Sequence, residues 1–378
     1  MAQSPENHSH DNIKILSVVW YKVLPPNFGG QKAIAYLNEH LGRLAPLLCL
    51  CSNDNEAAST TYRNHPILPT NKLQFINPFV WRKIYLFAKR KKATHLIIEF
   101  PYHGIAGFIC KKLLGVKLIV NTHNIEFKRF EQQKKWWWLL LYHYEGWVYK
   151  VANAVFFKTD SDKQIAQKQL GLQGGKSAVI PYGIAEAESL SRTDAQAIIR
   201  ARHEISKEDK ILLFAGTLDY QPNAEGVIAI KTQVIPRLNN APFHYKIIVC
   251  GRNNLSQFDY LNKISDPNLI RAGEVNDISL YYKAADAFIN PVASGGGIQT
   301  KIIDALFYHL SVVCFTSKRS GIYQAGNKLF SVDDFDWEGF VAATIKASAT
   351  VQETPSAFFE HYNWRSIATK AYHRISSL

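Results

Sequence analysis

The sequence predicts an α/β protein built on two doubly wound parallel sheets, and three observations carry that expectation. At 378 residues the chain exceeds what one hydrophobic core fills, so two domains are expected. Short runs rich in Val, Ile and Leu alternate with stretches of helical periodicity, as in parallel strands joined by crossover helices. The alternation begins anew near residue 211, and glycines stand where its strand-like runs end, at Gly216, Gly251, Gly273 and Gly295. Ligands of open α/β sheets bind at those carboxyl ends.

Taken in order, residues 1–12 are polar, lack apolar periodicity and read as a disordered tail. Residues 13–20 form the first buried strand. A Pro-Pro loop and the Gly29-Gly30 pair follow, and Ala33, Leu37 and Leu41 then recur at helical spacing. Residues 47–51 read as a strand and 53–70 as a polar loop. In 79–94, FVWRKIYLFAKRKKAT, Val80, Ile84, Phe87 and Ala88 share one helical stripe, and four basic residues close the segment. A strand at 95–100, a helix at 104–114 and a strand at 116–121 lead into THNIEFKRF. After an aromatic segment at 134–150, a strand at 154–158, a helix to residue 169 and a strand at 179–181 complete a first domain, 13–184. A C-terminal helix, 357–378, is expected to return to it. Residues 185–209 are polar and read as a linker. The second domain, 210–356, repeats the pattern with strands at 245–250, 269–272, 285–289 and 312–315 and helices at 224–238 and 278–284.

Charge divides unevenly. Residues 1–183 hold 24 Lys and Arg against 11 Asp and Glu, whereas the remainder holds 20 of each, so the first half is expected to meet an anionic surface or substrate. Trp136, Trp137 and Trp138 cannot all face one core. Beside Lys134, Lys135 and the basic helix they suit a bilayer interface, with packing inside the protein as the alternative. Nucleic acid is not an expected partner, because no module that reads it is present. Five scattered cysteines suit neither a zinc site nor a disulfide framework and read as core residues. With no spanning run and no secretory signal, a cytoplasmic protein is expected, peripheral at the inner membrane face. Asp160 and Asp162 form a D-x-D pair, better explained by a helix start than by a metal.

The stretch 290–305, NPVASGGGIQTKIIDA, has the strongest chemical content. An apolar strand, a turn with Gly295, Gly296 and Gly297, and a helix beginning near Lys301 would leave backbone N–H groups facing an anion. Lys301 would add a mobile cation, and Asp304 could accept hydrogen bonds from hydroxyls of a sugar or ribose. Alone, the turn reads more readily as a buried structural one, since glycine turns before helices are common.

The order of PPNFGG, THNIEF, FFKTDSD, VIPYG, LLFAGTLDYQPN, IIVCGRN, IRAGEV, DISLYYKAADAFINP, SGGGIQTKIIDALFYHLSVV and a closing Asn363-Trp364 resembles the family-four glycosyltransferases of the GT-B type, over about residues 13–370. The resemblance implies two Rossmann-like domains facing each other across a cleft. It implies transfer of a sugar, with retained configuration and no metal or other cofactor, from a nucleotide diphosphate donor to a glycan or lipid-linked acceptor. Gly216, Thr217, Arg252, Glu274, Val275, Gly296, Gly297 and Ile298 would bind donor. Gly29, Gly30 and Asn124 would lie on the acceptor side, and His123, Lys301 and Asp304 would serve catalysis, Lys301 and Arg252 as the cations that balance a departing diphosphate. The chain departs from the family pattern in three places. The loop 217–223 lacks the Arg and Lys of many relatives, Asp304 replaces the usual glutamate, and Gly296 stands where many carry a first carboxylate. A catalytically silent partner of another transferase and a nucleotide-sugar epimerase are the alternatives.

Overall fold

The computed structural model describes residues 13–26, 29–56, 58–184, 190–295, 298–350 and 352–378. The tail expected over 1–12 lies outside them. The chain divides into two compact units, Met1–Gly183 with Tyr362–Leu378, and Ile184–His361.

The first unit runs β1 (Ile15–Val19), α1 (Gly29–Gly42), β2 (Leu47–Ser52), β3 (Arg63–Leu68), α2 (Pro78–Lys91), β4 (His95–Glu99), α3 (Gly104–Leu114), β5 (Lys117–Asn121), α4 (Glu126–Gln132), α5 (Trp138–Val151), β6 (Ala154–Phe157), α6 (Asp160–Gln169) and β7 (Ser177–Val179). Its seven strands are all parallel, in the order β3-β2-β1-β4-β5-β6-β7. Strands covered by helices on both faces must be apolar throughout, and β1, β4 and β6 are buried at every position. In α2 the buried residues are the predicted stripe, Val80, Ile84, Phe87 and Ala88, packed in one cluster with Leu96, Leu118 and Val148. Asn77 caps its start by accepting from Phe79 N at 2.9 Å.

The second unit runs α7 (Arg192–His203), β8 (Lys210–Ala215), α8 (Gln221–Ala229), a π-helical turn (Ile230–Val234), α9 (Ile235–Leu238), β9 (Tyr245–Cys250), β10 (Leu269–Gly273), α10 (Ile278–Ala284), β11 (Ala287–Asn290), α11 (Thr300–Phe307), β12 (Ser311–Phe315), β13 (Leu329–Val332) and α12 (Trp337–Ser348). The order β10-β9-β8-β11-β12-β13, all parallel, repeats that of the first sheet with one strand fewer. Helix α13 (Ser356–Tyr362) leads to α14 (Trp364–Ser376), which packs on α1.

Three stretches differ from expectation. Residues 53–70 contain β3, an edge strand in which only Leu68 is buried, so no apolar pattern announces it. Residues 185–209 are not merely a linker. From Ser191, whose side chain accepts from Asp194 N at 3.1 Å, α7 runs along α10, and Arg192 bonds Asp286 at 3.0 Å. Strand β13 closes the other edge with half-buried residues only.

In both sheets the winding reverses next to the first strand, between β1 and β4 and between β8 and β11. The crevice beyond such a reversal is the ligand position of doubly wound sheets. In the second unit the loops after β8 and β11 flank it, and these are the loops that carry Gly216 and Gly295.

Candidate functional site

Around the reversal in the second unit, the loops after β8, β9 and β11 are tied together by side chains. Gly216 ends β8 with φ 159° and donates its N–H to Cys250 O at 3.0 Å. Gly251 must be glycine, since a Cβ there would collide with the Gly216 carbonyl. Asn223, at the start of α8, donates to Thr217 O at 2.8 Å and accepts from Lys301 Nζ at 2.7 Å. Lys301 therefore reaches from α11 into the very loop that lacks its own Arg and Lys. Its ammonium also lies 4.6 Å from the Phe214 ring centroid. Burial, and secondarily the charge of Lys318, push its pKa down to about 7. The expectation of a mobile cation is corrected: Lys301 is held by an amide and a ring.

Gly295 has φ 82°, a left-handed conformation that suits glycine. Its carbonyl accepts from Lys318 Nζ at 2.6 Å. Ile298, after the turn, accepts from Thr300 N at 3.1 Å. Gly296 and Gly297 lie outside the described residues. Asp304 sits one turn beyond Lys301 on α11, close enough for its charge to raise the Tyr282 phenol, although burial is the larger cause.

Beside these loops a cleft of about 340 Å³ opens at the carboxyl ends of β8, β9 and β10, lined by Leu218, Gly251, Arg252, Arg271, Gly273 and Glu274 among others. Arg252 belongs to this wall. Its Nε donates to Asp219 at 3.0 Å, and Asp219 also accepts from the backbone N of Asn254 at 2.7 Å and Leu255 at 2.9 Å. Burial would raise the Asp219 carboxyl, but these three donors outweigh it and hold the pKa below the ordinary value. Glu274 is exposed at the cleft, and Val275 follows it half-buried.

The first unit has its own polar centre at the carboxyl ends of β4, β5 and β6. Glu99 accepts from His123 Nε2 at 2.7 Å and from Asn121 Nδ2 at 3.0 Å, while Asn121 Oδ1 accepts from Lys158 Nζ at 2.9 Å. Burial lowers the His123 pKa, with Glu99 opposing, and brings Lys158 down to about 8. The imidazole thus stays largely neutral near pH 7 and is fixed in direction. The loop carrying His123 and Asn124 is anchored from α5. Glu145, fully buried, accepts from Glu126 N at 3.0 Å, Phe127 N at 2.9 Å and Tyr149 Oη at 2.6 Å. Gly29 and Gly30 open α1, beyond the loop that follows β1. Thr159, and not an aspartate, caps α6 by accepting from Asp162 N at 3.0 Å.

Sequence reasoning missed Lys318, Asp219, Asn223, Glu99 and Lys158. Asn223 and Asp219 lie inside the GTLDYQPN motif, so their spacing was visible, whereas Glu99 and Lys158 are single charges ending apolar strands, a signal that could have found them.

Comparisons with known proteins bear on the fold and on the family of each half. Residues 29–188 match the family model described as Glycosyltransferase Family 4, and residues 209–349 match the one described as Glycosyl transferases group 1. No curated protein sequence matches the chain. Among solved structures, sucrose-phosphate synthase from Thermosynechococcus elongatus is similar at 14% identity and TM-score 0.76, covering 96% of this chain and 98% of that one. HepE of Anabaena in complex with UDP and glucose is similar at 14% identity and TM-score 0.72, with 97% and 100% covered. WaaG, a glycosyltransferase involved in lipopolysaccharide biosynthesis, is similar at 15% identity and TM-score 0.66, with 96% and 95% covered. At these identities the likeness is one of fold. With residues 29–188 matched by the Glycosyltransferase Family 4 model, residues 209–349 by the Glycosyl transferases group 1 model, and a fold similar to these solved enzymes over nearly the whole chain, the chain is a glycosyltransferase of the GT-B type.

Proposed function

We propose that the protein transfers a sugar from a nucleotide diphosphate donor to a lipid-linked or polysaccharide acceptor, retaining the anomeric configuration and using no metal. The carrying observation is Lys301, which brings an ammonium from α11 to the loop after β8 through Asn223 at 2.7 Å. A departing diphosphate gains negative charge in the transition state, and a pre-positioned cation with backbone donors stabilises it. In this reading the cleft beside Gly251, Gly273 and Glu274 takes the base, Asp304 takes hydroxyls of the donor, and His123 serves catalysis. HepE, whose complex holds UDP and glucose, is a structural relative in keeping with such a donor.

The first unit's surface supports an acceptor at a membrane. Trp136 is 83% exposed and follows Lys134 and Lys135 in the chain, while Phe79 (81%) and Ile76 (70%) are exposed around the start of α2, the helix whose opposite end carries Lys89, Arg90 and Lys91. Apolar side chains among ammonium groups suit an anionic bilayer. Among the described residues no helix is long and apolar enough to cross one. A panel of nucleotide sugars with mass-spectrometric detection tests donor use: release or transfer of a sugar from at least one supports it, and none from any common donor rejects it. Sedimentation with anionic vesicles should retain the protein and lose it at raised salt. Equal binding to neutral vesicles would reject the electrostatic contact.

A further inference from the structure

Lys318 had no place in the sequence-based site, yet it is only 8% exposed and ends on the Gly295 carbonyl at 2.6 Å. A Cβ on Gly295 would meet Tyr220 and Pro222, immediately before the Asn223 that holds Lys301, and after burial the charge of Lys318 is the second cause of the lowered Lys301 pKa. Among the described residues neither lysine forms an ion pair with a carboxylate: Lys301 has an amide oxygen and a ring, and Lys318 has a backbone carbonyl. Asp334 is the acidic group whose charge acts on Lys318, and Asp304 lies on the helix that carries Lys301. Two like charges brought together in a partly desolvated place are unfavourable until an anion joins them.

Building on the proposed donor function, we propose that Lys318 is a second cation of the donor diphosphate site, held at the Gly295 carbonyl so that its ammonium and that of Lys301 meet the diphosphate together. The Arg and Lys absent from the loop 217–223 are thereby replaced from α11 and from the segment after β12. Burial lowers the pKa of both lysines, so an arriving dianion should draw a proton onto the pair.

The test is calorimetric titration with UDP, GDP and ADP and with the corresponding nucleosides, for the wild type and for Lys318→Met, Lys318→Arg and Lys301→Met. For the diphosphate that binds, Lys318→Met should weaken affinity by about tenfold or more while nucleoside affinity stays within about twofold, and Lys318→Arg should recover most of the loss. At pH 8, titration in buffers of different ionisation enthalpy should show proton uptake by the wild type, lost in Lys301→Met. An equal loss for nucleoside and diphosphate would mean that Lys318 only shapes the turn, and would overturn the assignment. Should Lys318→Met fail to fold, Lys318→Gln is read in the same way: a diphosphate affinity within about twofold of the wild type overturns the assignment. If the wild type binds none of the three diphosphates, the donor function itself fails, a result distinct from loss of selectivity in a variant.

Discussion

Replacing Asp219 with alanine removes an acceptor that three donors share. The carboxylate holds Arg252 at 3.0 Å and the amides of Asn254 and Leu255 at 2.7 and 2.9 Å. A hydrogen bond to a charged group contributes about 1.5–3 kcal/mol when shielded from water. Arg252 is 42% exposed, so its ion pair is discounted to below about 1 kcal/mol, and the freed amides can turn partly to solvent. A net loss of about 2 kcal/mol follows, which lowers the melting temperature by about 4–8 °C at the slope typical of a domain this size. The second consequence concerns ligand. With Arg252 free, binding in the 340 Å³ cleft must order its side chain again, at about 0.5–1.5 kcal/mol. Nucleoside affinity should therefore fall about two- to tenfold. Asp219→Asn, which keeps one acceptor oxygen, should fall between. Scanning calorimetry and titration with the nucleoside read the two effects separately. A lowered melting temperature with unchanged affinity would show that Arg252 does not shape the base site, and an unchanged melting temperature would refute the anchoring itself.

Three further outcomes are expected. Gly251→Ala forces a Cβ into the Gly216 carbonyl, so urea denaturation should show a loss of about 1–3 kcal/mol, accompanied by weaker donor binding. Lys301 has a folded pKa of about 7 against an ordinary 10.5, so the unfolded chain binds more protons between these values. Stability should rise with pH across that window and be lost as pH falls through 7, and Lys301→Met should flatten the profile. Glu145 shows the opposite sign. Burial raises it to about 7 from 4.5, so the native chain holds the extra proton, its contribution is complete below 4.5, and it is lost as pH rises through 7. Denaturation at a series of pH values checks both, and identical slopes in wild type and variant would contradict either assignment.

The sheets were legible because their strands are buried on both faces. Runs such as LIVN in β5 and KILLFA in β8 admit few other readings, and the α2 stripe could be read residue by residue. The edges were not legible. Strand β3, RNHPIL, carries a proline and three polar or charged side chains, because an edge strand with one covered side needs no continuous apolar run. Helix α7 was hidden for a similar reason: only Ala195 and Ile199 are buried, too few for a stripe amid charged residues. In the site, spacing pointed to Gly216, Lys301 and Gly295 but could not say what each side chain touches. Lys301 was read as mobile, and only the fold brings Asn223, 78 positions away, to its ammonium. Arg252, read as a phosphate cation, stands in the cleft wall bound to Asp219. Lys318 carried no local signal, because its importance lies in its closeness to Lys301 and not in its neighbours along the chain.

A crystal structure with the matching nucleoside diphosphate bound would test the central claim most directly. The base should occupy the cleft beside Gly273 and Glu274, and the phosphates should contact the Gly295 turn, Lys301 and Lys318. Phosphates seated elsewhere, with both lysines still turned to Asn223 and the Gly295 carbonyl, would contradict the account.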